Sequence, residues 1–336
     1  MNEHSRQALV GDIGGTYISL AIADIDELTV SHFALLSSGD FNDPMQAVER
    51  YLKSIPRVPD KASFAVWGTG GPDGIRMSHR PWTVTRKGVQ AVTGAEHVTL
   101  VNDLEALALS LPHLTDYELI PISKGRPKPY ATRAVIAAGT GLNVAALVRS
   151  GERWVPVRGL GGQVAFPAVR KDEFDARGVF PVDQPVTAEM VFSGKGLVAL
   201  YEGLARRESA KAVAVLTPEQ ITKVGLSRED QIAAEAVDLM AAWLARFAAD
   251  VALLFGAEGG VFLAGGLSAG VVPAYADGRF RAELCDHGEA RAYLEEIPVN
   301  VIKMGADAGL RGAAVALAEG LAAAPPARRL VQRASR

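Results

Sequence analysis

An aspartate and a threonine stand in a glycine-rich turn near the start of the sequence, within Gly11-Asp12-Ile13-Gly14-Gly15-Thr16. The apolar run Ala8-Leu9-Val10 precedes this turn and a second run, Leu20-Ala21-Ile22-Ala23, follows it, so the pattern predicts a β-hairpin. Glycine lets a ligand approach the backbone closely, and N–H groups in such turns can hold a phosphate. The turn is not a Walker loop, since no Gly-Lys-Ser/Thr follows, nor a dinucleotide fingerprint, since a strand follows it instead of a helix.

A second carboxylate, Asp103, follows Asn102 at the end of a predicted strand, Val98-Thr99-Leu100-Val101. A helix is predicted to begin immediately afterwards, over 104–111. Two interpretations of Asp103 remain open from these residues alone. It is either the N-cap of that helix or a general base held at a strand end beside a cleft.

Further glycine clusters occur along the chain, most of them after short apolar runs. They are Gly68 with Gly70-Gly71, Gly139-Thr140-Gly141, Gly159 with Gly161-Gly162, and Gly265-Gly266. Ordinary hairpin turns and phosphate-binding loops both use glycine in this way, so each cluster taken alone leaves both interpretations open.

The elements that must position these residues include both strands and helices. Strands are predicted within 8–36, 62–67, 98–101, 133–168, 260–264 and 299–302, and helices over 43–54, 104–111, 187–207, 217–224, 228–256, 278–295 and 308–323. No internal repeat and no low-complexity linker is found. The arginines of the tail are expected to lie in solvent (Arg328, Arg329, Arg333 and Arg336).

Length and composition exclude several classes of protein. The 336 residues suggest about two domains, and 49% hydrophobic residues suffice for sizeable cores. A net charge of −3 argues against a nucleic-acid binder. The single cysteine, Cys285, excludes an intramolecular disulfide and a cysteine-based zinc site, and it fits a reducing cytoplasm. Neither a signal peptide nor a membrane-spanning segment is expected.

Taken in order, the motifs resemble the bacterial glucokinase family, part of the sugar kinase/hsp70/actin superfamily. The resemblance runs from Val10 to about Ala318. It rests on Gly-Asp-Ile-Gly-Gly-Thr, Asn-Asp-Leu-Glu-Ala, Gly-Thr-Gly-Leu, Gly-Gly-Gln-Val-Ala-Phe, Glu-Met-Val-Phe-Ser-Gly-Lys-Gly-Leu and Gly-Gly-Val-Phe-Leu-Ala-Gly-Gly. Six ordered motifs are far more specific than any one of them.

This resemblance implies an α/β protein with a two-domain actin-like ATPase (ribonuclease H-like) fold and an interdomain cleft. Residues 1–112 with 307–336 would form a small α/β domain, and 113–306 a large one. The implied activity is that of an ATP-dependent hexose kinase, which phosphorylates the 6-hydroxyl of glucose or a related sugar in cytoplasmic carbohydrate metabolism (glycolysis). Its ligands would be a sugar, ATP and Mg²⁺, with no nucleic acid or membrane partner, and a homodimer is implied.

The same resemblance gives individual residues their roles. Asp103 would be the catalytic base, and Asn102, Asp103, Gln163 and Glu189 would bind the sugar. The ATP-binding residues would be Asp12, Gly14, Gly15, Thr16, Gly139, Thr140, Gly141, Gly265 and Gly266. Mg²⁺ would arrive with ATP near Asp12, and no dedicated metal site is expected.

Departures from the family pattern cluster at this site. Leu160-Gly161-Gly162-Gln163 stands where the family has Glu-Gly-Gly-His, and Ala165 replaces a family aspartate. Tyr17 and Ser19 replace Asn and Arg, and Ala137 and Asn143 replace glycines around the Gly-Thr-Gly-Leu motif. Ser78-His79 replaces Thr-Asn ahead of Trp82, and a proline expected near residue 69 is absent. Leu160 cannot accept a hydrogen bond, whereas Gln163 still donates and accepts.

These departures leave alternatives to a glucose kinase. The chain could be a kinase for a different or modified sugar, because a site that lacks a hydroxyl's partner discriminates between sugars. It could also be a sugar-binding regulator with weak or no catalysis, although Asp12 lies too near the start for a preceding helix-turn-helix. The retained Asp12 and Asp103 favour a working kinase, and the sugar-related motifs argue against a generic actin-like ATPase. Among the six histidines, only His79 falls in a motif near the expected cleft.

Overall fold

A computed structural model describes residues 6–78, 80–166, 178–180, 185–207, 215–275, 277–303 and 307–323. His79 and the arginines of the tail therefore lie outside the described residues. The chain divides into two compact units, Met1–Ala106 with Gly309–Arg336, and Leu107–Ala308. They are called here the first and the second unit.

The strands of the described residues are numbered in chain order. They are β1 Gln7–Ile13, β2 Tyr17–Asp24, β3 Val30–Ser37, β4 Lys61–Val66, β5 Gly68–Gly71, β6 Gly74–Met77, β7 Thr83–Thr85, β8 His97–Asn102, β9 Leu119–Ser123, β10 Arg133–Ala138, β11 Leu142–Ser150, β12 Arg153–Arg158, β13 Val261–Ala264 and β14 Val299–Ile302.

The α-helices are numbered in the same way. They are α1 Pro44–Leu52, α2 Arg86–Thr93, α3 Asp103–Ser110, α4 Ala188–Val191, α5 Gly194–Arg207, α6 Pro218–Leu226, α7 Gln231–Phe255, α8 Gly266–Gly270, α9 Val272–Tyr275, α10 Arg279–Leu284, α11 Arg291–Glu295 and α12 Ala308–Ala323. Short 3₁₀ turns add Ser38–Asp40, Leu111–His113, Asp116–Glu118, Gly161–Gln163 and Gly288–Ala290.

The first unit is built on a five-stranded sheet in the order β3-β2-β1-β4-β8. β1, β2 and β3 are antiparallel neighbours, whereas β4 and β8 run parallel to β1. Val48 of α1 and Val89 of α2 pack on one set of sheet residues, which includes Phe64. Leu310 of α12 packs on another set, which includes Val10. Side chains alternate between the faces of a strand, so the sheet is covered on both sides.

A second, smaller sheet of the first unit has the order β5-β6-β7. It was not predicted, and neither was α2, because Gly68–Gly71 carries almost no side-chain pattern that would mark a strand. Gly68 is required there, since a Cβ at this position would collide with the carbonyl oxygen of Arg76 on β6. This sheet follows directly from β4 and so lies next to the glycine-rich turn after β1.

The second unit is built on a six-stranded sheet in the order β12-β11-β10-β13-β14-β9. β10, β11 and β12 are antiparallel neighbours, and β13 and β14 run parallel to β10. The first unit has the same succession of three antiparallel and two parallel strands. In both units a glycine-rich turn joins the first two of the three antiparallel strands, β1 to β2 and β10 to β11.

The core of the second unit is organised by α7, a helix of 25 residues. Trp243 and Phe247 of this helix contact Phe166 and Phe192, with ring centroids 5.0 and 5.3 Å apart. Asp230 caps the helix through Ala233 N–H, and Gly256 ends it in the left-handed conformation at φ +58°. No helix in the described ranges is both long and apolar enough to cross a membrane.

Most predicted elements are confirmed, including the helices over 43–54, 217–224 and 308–323. Two predictions of a single continuous helix are wrong. The helix predicted over 187–207 is divided into α4 and α5, since Phe192 leaves the helical region with ψ 52°. The helix predicted over 278–295 is divided into α10 and α11, and Gly288 between them has a φ of +51°, outside the right-handed helical region.

Candidate active site

The first glycine loop, Gly14–Thr16, joins β1 to β2, and its carbonyls all face the protein. The hydroxyl of Ser38 donates to the Gly14 carbonyl at 2.9 Å, and the Ser38 N–H donates to the Thr16 carbonyl at 2.9 Å. Arg80 Nε donates to the Gly15 carbonyl at 2.8 Å. No described residue accepts from the N–H of Gly15 or Thr16. These two donors are therefore available to an anion such as a phosphate.

Gly15 packs against an indole ring. A Cβ at this position would lie 2.7 Å from Cζ3 of Trp67, closer than real side chains pack. Only glycine therefore fits at this point of the loop.

Asp12 lies on β1 two residues before the loop, beside Ser19 of β2 and Ala65 of β4. Its side chain is partly buried, and the loss of surrounding water raises the pKa of the carboxyl to about 6. Gly309, in the first turn of α12, packs against the carboxylate so closely that a Cβ there would collide with Oδ2.

Asn102, and not Asp103, caps α3. The Asn102 Oδ1 accepts from the N–H of Leu104 at 3.0 Å and, less closely, from Glu105 at 3.4 Å. Its Nδ2 donates to the Gly68 carbonyl at 3.0 Å, which ties the start of the helix to β5. The N-cap interpretation of Asp103 is therefore wrong, because Asp103 is the first helical residue and its neighbour fills the capping position.

The carboxyl of Asp103 has a pKa well above that of an ordinary aspartate. Burial is the largest cause that raises its pKa to about 7, and the charge of Asp12 raises it further. Hydrogen bonds from Leu104 N–H, its own N–H and the Asn102 side chain oppose this shift. A carboxyl with a pKa near neutrality can both accept and release a proton at physiological pH.

The second glycine loop, Gly139–Gly141, joins β10 to β11 in the second unit. It is closed by the Gly139 N–H, which donates to the Gly141 carbonyl at 2.9 Å, and Thr140 is exposed at its tip. The Gly139 carbonyl accepts from the Gly194 N–H at the start of α5. A Cβ at Gly141 would lie 2.8 Å from Oε2 of Glu189, so the absence of a side chain here leaves room for the carboxylate.

Glu189, on α4, lies between the second glycine loop and Gln163, which is also predicted to bind the sugar. Its Oε2 accepts from the Leu142 N–H at 3.1 Å, and its Oε1 accepts from Nε2 of Gln163 at 3.3 Å. The structure therefore brings Glu189, Gln163 and the second glycine loop together within one unit.

Gly265 and Gly266 follow β13, the parallel neighbour of β10, and Gly266 begins α8. Gly265 has φ +90°, and a Cβ there would collide with the Ala138 carbonyl, so only glycine fits. An added Cβ at Gly139 would lie 3.7 Å from the N of Gly266. The two glycine pairs therefore lie side by side at the carboxyl ends of parallel strands, where ligands bind in open α/β sheets.

Some of the residues that depart from the family pattern are exposed to solvent. Leu160 has 70% of its surface exposed, an unusual state for a leucine, and Tyr17 is 55% exposed. Asn143 uses its Oδ1 locally, as an acceptor for the Val144 N–H at 3.0 Å. Leu160 precedes the 3₁₀ turn that carries Gln163, so both changed residues of that motif lie on one short segment.

A divalent cation has few protein ligands available here. Within the described ranges no group of three or more His, Cys, Asp or Glu residues could hold a metal ion. Asp12 nevertheless fits such an ion, since no described residue donates to its carboxylate and its charge is one cause of the raised Asp103 pKa. Mg²⁺ is commonly bound through one or two carboxylates together with substrate phosphates.

The sequence analysis missed three residues that shape the first glycine loop: Ser38, Trp67 and Arg80. Ser38 and Arg80 are 24 and 65 positions from the carbonyls they bind, so no local pattern indicates them. Trp67 and Trp82, which flank β5 and β6, are the only signal that the sequence offers for this segment.

Solved structures share this architecture over almost the whole chain. A glucokinase from an Antarctic psychrotroph superposes with a TM-score of 0.81 at 26% identity, covering 94% of this chain and 99% of that one. A ROK family glucokinase from Streptomyces griseus, in complex with glucose and AMPPNP, gives a TM-score of 0.62 at 20% identity over 92% of this chain and 98% of that one. The fold is the two-domain actin-like fold of sugar kinases.

Sequence similarity places the chain more narrowly. A glucokinase from Brucella suis biovar 1 is 36% identical over 296 residues, which cover 88% of this chain and 86% of that protein. A family model described as Glucokinase matches residues 9–320. The chain belongs to the glucokinase family.

Proposed function

We propose that the chain is an ATP-dependent hexose kinase, which transfers the γ-phosphoryl group to the 6-hydroxyl of glucose or a closely related hexose. The observation that carries this proposal is the state of Asp103. Asn102, and not Asp103, caps α3. The pKa of Asp103, raised to about 7, suits a group that takes a proton from a hydroxyl. The glucose and AMPPNP complex of the Streptomyces griseus protein, which has the same fold, supports the choice of ligands.

The transfer is a displacement at phosphorus. The oxygen of the 6-hydroxyl forms a bond to the γ-phosphorus, the bond from that phosphorus to the β,γ-bridging oxygen breaks, and ADP leaves. The hydroxyl proton passes to a carboxylate oxygen of Asp103. Such a reaction asks the protein mainly to position the reactants and to stabilise charge.

Backbone donors provide most of the proposed phosphate binding. The free N–H groups of Gly15 and Thr16 form one set of donors, and the second glycine loop, Gly139–Gly141, carries another. Gly265 and Gly266 lie beside the second glycine loop, and we assign them to the adenosine. When bound, Mg²⁺ would neutralise phosphate charge, and Asp12 is the residue of this chain that fits it.

The sugar is assigned to Asn102, Asp103, Gln163 and Glu189. Glu189 keeps one carboxylate in the sugar-binding motif, and the amide of Gln163 lies 3.3 Å from it. Leu160 adds an exposed apolar surface on the same segment. This combination also favours a second candidate, a kinase of the same mechanism whose preferred hexose lacks or modifies one hydroxyl, because an apolar side chain tolerates a missing hydroxyl.

A coupled assay of ADP release tests the proposal with glucose, mannose, 2-deoxyglucose, glucosamine and N-acetylglucosamine. The highest kcat/KM for glucose supports a glucose kinase, and a higher value for a modified hexose supports the second candidate. Binding of these sugars without release of ADP would instead indicate a regulator that has lost catalysis. Light scattering after size-exclusion chromatography tests the homodimer, and activity in the cytoplasmic fraction of cells that produce the protein tests its location.

A further inference from the structure

The first glycine loop depends on a side chain from a distant part of the chain. Arg80 lies in the turn between β6 and β7, and its Nε donates to the Gly15 carbonyl at 2.8 Å. The loop and its flanks, Gly14 to Ser19, contain no cationic residue. Arg80 therefore brings both a hydrogen bond and a positive charge to the loop.

The guanidinium of Arg80 is held in place from its other side. Its Cζ lies 4.6 Å from the centroid of the Trp82 ring, a cation–π contact. Trp82 is itself only 4% exposed, and its carbonyl accepts from the Met77 N–H at 3.0 Å, which closes the turn. The ring is therefore a fixed support, and it limits the directions in which Nε can point.

Arg80 has no carboxylate partner among the described residues, so its charge is not neutralised within the protein. It lines an open cavity of about 490 Å³ together with Thr69, Arg76, Ser78 and two apolar residues of the same turn. The cavity lies wholly within the first unit.

The bond to Gly15 determines where a neighbouring N–H points. A peptide unit is planar and trans, so the carbonyl of Gly15 and the N–H of Thr16 point in opposite directions. Arg80 draws the carbonyl to one side and thereby fixes the Thr16 N–H on the other. That N–H has no partner among the described residues. Without Arg80 the peptide could rotate and present its carbonyl, which repels a phosphate.

We propose that Arg80 is a positioning residue for nucleotide binding, which holds the Gly15–Thr16 peptide so that its N–H faces the phosphates of ATP. This inference rests on the proposed function, since it takes the first glycine loop to bind the triphosphate. Arginine suits the role better than lysine, because its planar group can stack on Trp82 while Nε donates at a fixed angle.

The test compares Arg80→Gln, Arg80→Lys and a matched control, Arg76→Gln, which removes a cation from the same cavity but breaks no described bond to the loop. Arg80→Gln is expected to raise the KM for ATP about ten- to a hundredfold, the equivalent of one charge-assisted hydrogen bond. The KM for the sugar should change less than twofold. Arg80→Lys should recover only part of the loss, and Arg76→Gln should leave both KM values unchanged.

Calorimetric binding of AMPPNP to each variant separates this inference from the proposed function, because it needs no phosphoryl transfer. A wild-type protein that binds AMPPNP but phosphorylates no hexose would refute the proposed function and leave Arg80 testable. An unchanged Kd for AMPPNP in Arg80→Gln would overturn the inference. An equal loss in Arg76→Gln would also overturn it, since cavity charge and not the Gly15 bond would then be responsible. Arg80→Lys provides the same comparison if Arg80→Gln does not fold.

Discussion

Asn102 and Asp103 divide two tasks at the start of α3. The side chain of Asn102 caps the helix and binds the Gly68 carbonyl, whereas the carboxyl of Asp103, one residue further on, has a raised pKa. A capping aspartate would accept backbone N–H bonds that favour its charged form and lower its pKa. Asp103 itself accepts such bonds from the Leu104 N–H and its own N–H, but burial, with the charge of Asp12, outweighs them and raises its pKa to about 7.

Asp103→Asn should lower kcat about a hundred- to ten-thousandfold, because the variant has no group to accept the hydroxyl proton. Binding of the sugar and of AMPPNP, measured by calorimetry, should change far less. The control is Asp73→Asn, which removes a carboxylate whose side chain is 99% exposed. A wild-type rate in Asp103→Asn would refute the role of Asp103 as the base.

The dependence of kcat/KM on pH should report the ionisation of Asp103. Asp103 must be ionised to accept a proton, so kcat/KM for the sugar should fall below about pH 7, by about tenfold for each further pH unit. A profile that stays flat from pH 8 down to pH 5 would contradict this assignment.

The stability of the folded protein should fall as pH rises, whereas kcat/KM should rise. The pKa values of Asp12 and Asp103 are raised to about 6 and 7, so between about pH 4 and 7 the folded state binds more protons than the unfolded state. Their contribution to the free energy of unfolding therefore falls as pH rises through this range. Asp103→Asn removes one of these groups and should be more stable than the wild type at pH 8, by about 2–4 kcal/mol.

The measurement is urea unfolding of both proteins at pH 5 and pH 8. The advantage of Asp103→Asn should be small at pH 5 and larger at pH 8. An advantage that does not grow with pH would show that burial does not penalise the charged form of Asp103.

Gly309→Ala should impair catalysis although alanine favours helices. The added methyl group would collide with Oδ2 of Asp12, and displacement of that carboxylate should lower kcat/KM for ATP about tenfold or more. Gly320→Ala is the control on the same helix, where the nearest atom to the new Cβ is 3.8 Å away. It should leave activity unchanged and stabilise the protein by about 0.5–1 kcal/mol. Equal activity in the two variants would show that Gly309 does not position Asp12.

Restoring the family residues at the sugar site should strengthen glucose binding. The double variant Leu160→Glu with Gln163→His should lower the KM for glucose about ten- to a hundredfold, as expected for one regained hydrogen bond to a charged group. Val164→Glu places the same charge on a neighbouring side chain, which is 46% exposed, and should have little effect. If the double variant binds glucose no better, Leu160 is not responsible for the choice of sugar.

Much of the site could be predicted because its motifs are local. Asp12, the two glycine loops and Gly265-Gly266 each follow a short apolar run, and the structure places every one at the end of a strand. The choice between Asn102 and Asp103 as the cap could not be predicted, since both residues cap helices well and the answer depends on a boundary of one residue.

Other features depend on contacts between distant segments. The hydrogen bond from Arg80 to Gly15 spans 65 positions, and the strands β5 to β7 that support it are short and rich in glycine. The common succession of strands in the two units was equally invisible, because topology can be shared without any repeat in the residues.

The helix α12 has a consequence for the order in which the protein is made. Its residues Leu310, Ala313 and Leu317 pack on Val10 and Ala65 of the first sheet, although about 250 to 300 residues separate them in the chain. During synthesis the whole of the unit Leu107–Ala308 has been translated before all but the first residue of α12. The part of the chain that is made first is therefore the part that finishes folding last.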